Sequence, residues 1–168
     1  MKPTKPSSLV AYAVASALTA FGVSAFVVRN GYSLPISPVN LLLTLPSISI
    51  VFLIMAWPIL RYRAAIRRAI AKPETAKSTL IKRVDPFYAM RVALLSRAIS
   101  ISGSLFFGWH AGVLVALLRA PEASASGIWQ LVFGLLGSIS MIVVGLIVEN
   151  ACRVPPDSNP TDAEASAA

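Results

Sequence analysis

Residues Ala98 to Leu118 form an uninterrupted, uncharged run of 21 residues, AISISGSLFFGWHAGVLVALL. A helix needs about 20 such residues to cross a hydrocarbon core of roughly 30 Å, so this run suffices for one span. Small residues recur along and just before it at every fourth position: Ser96, Ser100, Ser104, Gly108, Gly112 and Ala116. Residues four apart lie nearly above one another on a helix, so the series predicts one continuous groove. Membrane helices associate where small residues let their backbones approach, because lipid tails offer no hydrophobic contrast. Ser100, Ser104, Gly108 and Gly112 are therefore the expected packing residues, and leucine at Val113 or Val115 should matter less.

Three more apolar runs accompany this one, and only 13% of the chain is charged. A soluble domain carries about 25%. The expected fold class is all-α: a polytopic membrane protein of four antiparallel transmembrane helices, with spans at about 9–28, 39–60, 98–118 and 127–148. These form one membrane domain over 1–152. The first run exceeds the 7–15 residues of a signal-peptide core, so it reads as an uncleaved span. Residues 153–168, rich in Ser, Ala, Pro, Asp and Glu, read as a disordered cytoplasmic tail.

Local signals mark the joints. Asn30-Gly31, Pro35 and Pro38 predict a loop after the first span. Pro46 and Pro58 should bend the second, as static kinks or as a hinge. Thr44, Ser47 and Ser49 stand close enough to bond the freed carbonyls. Helical spacing of Ile59, Tyr62, Ile66 and Ile70 carries the second helix to about Ala71, where Lys72-Pro73 stops it. Asp85-Pro86 reads as an N-cap with proline at the first helical position, starting the third helix near Pro86. The short 119–126 connection predicts that the third and fourth helices are antiparallel neighbours.

Of the 15 basic residues, only Arg29 and Arg119 fall on one side of the predicted spans. The positive-inside rule then puts both termini in the cytoplasm, with loop 61–97 as a basic helical extension of a protein in the cytoplasmic membrane. Arg61, Arg63, Arg67 and Arg68 are candidate contacts for anionic lipid heads or an acidic partner, at about 1 kcal/mol per well-placed cation. Nucleic acid is not an expected partner, since the cations flank spans and no binding motif is present.

The spans hold no Asp, Glu, Lys or Arg, and the chain has one histidine and one cysteine. His110 is the candidate intramembrane polar site, as ligand, relay or hydrogen-bonded packing residue. It has no carboxylate or second metal ligand in any span, so no catalytic site, metal or cofactor is expected. Cys152 alone excludes an internal disulfide and a CxxC redox pair. Arg97 lies 21 residues before Leu118 and Glu149 lies 22 after Gly127, which puts both at one depth. They form a candidate ion pair, for which Arg61 competes.

Three patches carry a resemblance: Met1-Lys2-Pro3-Thr4, the segment from Arg91-Val92 through Arg97-Ala98 to Gly103, Gly108 and Gly112, and Cys152-Arg153-Val154-Pro155. In these the chain resembles an uncharacterised family of small four-span actinobacterial membrane proteins, a domain of unknown function often encoded beside folate-biosynthesis genes. The resemblance carries no catalytic residues with it. The expected role is a non-enzymatic accessory or scaffold protein whose partner is another membrane protein or a cytoplasmic protein. The alternative is a small transporter, or transporter subunit, for a polar metabolite.

Overall fold

The structure, a computed structural model, describes residues 5–71, 85–119 and 124–152. The sequence motifs at 1–4 and 153–155, the cations between 72 and 83 and the expected tail lie outside them, as do the side chains of Arg67 and Arg68. Four helices are present: α1 (Pro6–Arg29), α2 (Val39–Ala71), α3 (Pro86–Arg119) and α4 (Ala125–Ala151). All four are long and apolar enough to cross a membrane, and the described residues contain no strand.

The helix ends follow from local chemistry. Pro6 opens α1, where its missing N–H costs nothing. Asn30 closes it, its side-chain amide donating to the Phe26 carbonyl at 2.8 Å. Gly31 follows with φ +78, a left-handed turn that glycine adopts without strain. Asp85 caps α3 by accepting from the Phe87 N–H at 2.9 Å, directly before Pro86. Ser124 accepts from the Gly127 N–H at the start of α4, a cap the sequence reading missed. Both prolines of α2 stay inside one continuous helix. The neighbouring hydroxyls do not reach the Leu42 carbonyl that Pro46 leaves without its usual donor. Thr44, Ser47 and Ser49 bond instead to the carbonyls of Leu41, Leu43 and Leu45.

Packing order differs from chain order. α3 touches all three other helices, α4 also packs on α2, and α1 packs on α3 alone. The helices thus stand in the order α1, α3, α4, α2. Consecutive helices α1 and α2 end up apart because their connection is long enough to step over the α3–α4 pair. Residues 30–38 reach about 30 Å when extended, enough for the three interhelical spacings of this order, which need at most roughly 24–30 Å. Leu34 of this connection packs with Ala20, Val113, Leu117 and Leu131, and Ile36 lies against Gly127. Large apolar side chains such as Leu18, Phe26, Ile54 and Phe133 point outward, and small residues fill the seams. That arrangement suits a lipid surround.

Candidate functional site

Glycines decide where backbones meet. A Cβ added at Gly108 would collide with the Ala13 carbonyl, and one at Gly112 with the Ala17 carbonyl. These two glycines therefore seat α1 directly on α3, with both helices running the same way. Ser16 ties the pair, its hydroxyl donating to the Leu105 carbonyl at 2.7 Å. The α4 seam uses other positions. A Cβ at Gly145 would strike the Ser100 hydroxyl and lie 2.8 Å from the Ser96 carbonyl, and Gly103 lies against Met141 and Ile142.

The small-residue series is thus two half-grooves, not one. Each four-residue step turns about 40° around the helix, so Gly112 points about 120° away from Ser100. Ser96 and Ser100 accordingly face α4, whereas Gly108 and Gly112 face α1. Val113, expected to tolerate change, is 0% exposed and belongs to the core beside Leu117 and Leu131; Val115 is 44% exposed.

His110 is fully buried on the α4 face of α3. Its Nδ1 lies 2.7 Å from the Phe106 carbonyl, which only accepts, so Nδ1 carries the proton. Nε2 has no hydrogen-bond partner in the protein. The imidazole fits because residue 134 of α4 is glycine; a Cβ there would run into the ring. Hydroxyls along this seam bond locally: Ser100 to the Ser96 carbonyl, Ser104 to that of Ile101 and Ser138 to that of Gly134. Among the described residues no three His, Cys, Asp or Glu side chains gather in a metal-binding group.

At the other side of α4, Ser49 and Ser140 join their hydroxyls at 3.0 Å, binding α2 to α4. Tyr88 of α3 donates to the Met55 carbonyl at 2.7 Å. The end of α4 exposes carbonyls without intrahelical donors. Arg63 supplies one, its Nη1 donating to the Asn150 carbonyl. This candidate lipid contact therefore serves as a helix cap, favourable also to the negative end of the helix dipole. Burial pushes the nearby Cys152 thiol up from its ordinary range, partly offset by the positive charge of Arg63. Arg61 and Arg97 are exposed, and Glu149 is half-buried.

A cleft of about 540 Å³ separates α1 from α2. Its floor is the face of α3 that carries Ser102, Phe106 and Trp109; Ser16 lines one wall, and Ser37 and Leu41 lie on the other. The cleft exists because α1 and α2 do not touch and the side chains at positions 16, 37 and 102 are small. Sequence reasoning missed it, since nothing in the chain marks two consecutive spans as separated.

Four apolar helices with small-residue seams define a multi-pass membrane protein of the helical class. Residues 9–156 match the family model described as a protein of unknown function (DUF3180), and the chain belongs to that family. Comparison with curated proteins and with solved structures finds no match.

Proposed function

We propose that the protein is a non-catalytic accessory or scaffold subunit of the cytoplasmic membrane, engaging another membrane protein or a cytoplasmic protein through its basic end. Closure of the central α3–α4 seam is the observation that carries this reading. Gly103, Gly134 and Gly145 bring the two helices into direct contact, and the seam hydroxyls of Ser100, Ser104 and Ser138 are occupied by backbone carbonyls. A transporter of polar solutes needs a polar path across the membrane, with a site near its midplane. The α1–α2 cleft sets Ser16, Ser37 and Ser102 among apolar side chains, and its lining carries no charged group to serve as such a site.

Charge asymmetry supports cytoplasmic placement of both termini and of the 61–97 segment. In that orientation the ends of α2 and α3 form a basic extension offering Arg61, Arg67 and Arg68 to anionic lipid heads or to an acidic partner surface. The register of the α3–α4 seam, where Gly145 meets Ser96 and Ser100, supports Arg97 and Glu149 as a clamp at one level. Reporter fusions at the carboxyl terminus and within 30–38 are expected to report opposite sides. A carboxyl-terminal reporter active outside the cytoplasm would overturn the topology.

The role itself is tested by purification from membranes in mild detergent. A partner should co-purify in fixed stoichiometry and be lost when Arg61, Arg67 and Arg68 are changed to glutamine, with thermal stability unchanged. Arg63 stays intact in this variant because it caps α4. Absence of a stoichiometric partner, together with flux of a polar solute through reconstituted vesicles, would replace the scaffold with the transporter.

A further inference from the structure

With the basic end taken as the contact surface, we infer that the chain carries its own competitor for it. The acidic stretch 157–164 docks on the exposed arginines of the α2 and α3 extensions and holds that surface against acidic partners. Charge is divided sharply between the two segments. Asp157, Asp162 and Glu164 fall close together, and no Lys or Arg follows Arg153. Residues 61–97 carry ten Lys and Arg against only Glu74 and Asp85. Asp85 is already committed, its carboxylate accepting from the Phe87 N–H at the start of α3. The family match ends at residue 156, so the three tail acids lie outside it and the basic segment lies inside.

Geometry brings the two segments together. α4 ends at Ala151, and Cys152 packs against the cluster that holds Ile59 of α2 and Val92 of α3. Arg63 of α2 reaches the neighbouring Asn150 carbonyl. The chain therefore leaves α4 beside α2 and α3, part-way along both. From Ile59 to Ala71, α2 runs on for about 18 Å, and α3 starts about 9 Å before Val92. Fully extended, the chain from Cys152 reaches about 17 Å to Asp157 and about 40 Å to Glu164. Both extensions lie within that distance. Arg61 and Arg91 stand exposed on them, whereas Arg63 is taken up by the α4 cap. Single exposed ion pairs are weak. A segment tethered beside its site, however, acts at an effective concentration of order millimolar. The contact is thus near balance, closed enough to screen the surface and weak enough for an acidic partner to displace.

Contact quenching of a bimane on the tail by a tryptophan on the extension tests this directly. The full chain carries Cys152→Ser and Ser158→Cys, with bimane on the new thiol, in a neutral detergent. Phe87→Trp in α3 and Ala64→Trp in α2 supply the quencher in two separate versions, both at exposed positions. With about half of the molecules docked, bimane emission should fall about twofold in at least one version at low salt. An acidic probe, poly-glutamate, should then bind about twofold more weakly than it binds a protein without the tail acids. Quenching should vanish at about 1 M salt, where charges are screened beyond about 3 Å. Asp157→Asn with Asp162→Asn and Glu164→Gln should abolish it, as should Arg61→Gln with Arg91→Gln. Three results would overturn the inference: no quenching in either version, quenching that survives loss of the tail acids, or quenching between separately labelled copies after mixing. The purified chain needs no partner for this measurement. Absent quenching with a partner still recovered would remove the tail contact alone, and quenching without a partner would remove the scaffold alone.

Discussion

Replacing Gly112 with leucine should detach α1 from α3 and cost the protein much of its stability in detergent. The backbone of α1 passes so close that even a methyl group at position 112 would overlap the Ala17 carbonyl and lie 2.9 Å from the Ala20 Cβ. Carbonyl and Cβ atoms cannot rotate aside as a flexible side chain could. A leucine there forces the two helices apart, and the packing contacts along the seam go with it. Overpacking of a tight core costs roughly 1–3 kcal/mol, and a rigid backbone neighbour places this site at the upper end or above. Gly108→Leu should behave alike, with the Ser16–Leu105 bond lost as well. Val115→Leu is the control: an exposed position away from special features changes stability by about 0.5 kcal/mol or less. Thermal unfolding in one detergent, followed by circular dichroism, separates these cases. Equal midpoints for Gly112→Leu and Val115→Leu would mean that α1 does not sit on α3 in this way.

The existence and extent of the helices were legible because lipid imposes a strict rule on the chain. Charges must leave the apolar stretches, and turn or capping pairs at the interface mark where the helices end. Asp85-Pro86 and Asn30-Gly31 accordingly mark ends that the helices observe, whereas the expected stop at Lys72-Pro73 lies outside the described residues. Neighbour choice was far less legible. A four-residue repeat looks like one stripe in the sequence, yet its slow rotation hands Ser100 to α4 and Gly112 to α1. Val113 and Val115 look equivalent as letters, yet the first lies in the core with Ala20, Leu117 and Leu131 while the second faces outward. Arg63 could not be distinguished from its basic neighbours, because its role as a cap depends on α2 lying beside α4 instead of α1. The α1–α2 cleft follows from that same neighbour choice.

His110 and Gly134 should behave as one unit, and a double-mutant cycle makes this measurable. Gly134→Ala alone drives a methyl group into the imidazole, whose ring is held by the Nδ1–Phe106 bond and enclosed on the α3–α4 seam. The ring has no free space to enter, so the helices must separate, at a cost of roughly 1–3 kcal/mol. His110→Ala alone empties the site, and loss of a buried ring leaves a cavity costing about 3 kcal/mol or more. The penalties should not add. With the ring gone, the alanine methyl at 134 occupies part of the vacated space, so Gly134→Ala becomes nearly neutral or stabilising. An interaction energy of about 1–3 kcal/mol is the range expected for residues in direct contact. The cycle also separates the two readings of His110. A packing histidine makes the full coupling appear in stability, and a His110→Ala, Gly134→Ala protein that remains folded should still recover its co-purifying partner. If stability couples as expected but the partner is lost, the Nε2 lone pair has a use beyond packing. Strict additivity would place the ring away from Gly134 and undo the α3–α4 register on which the closed seam depends.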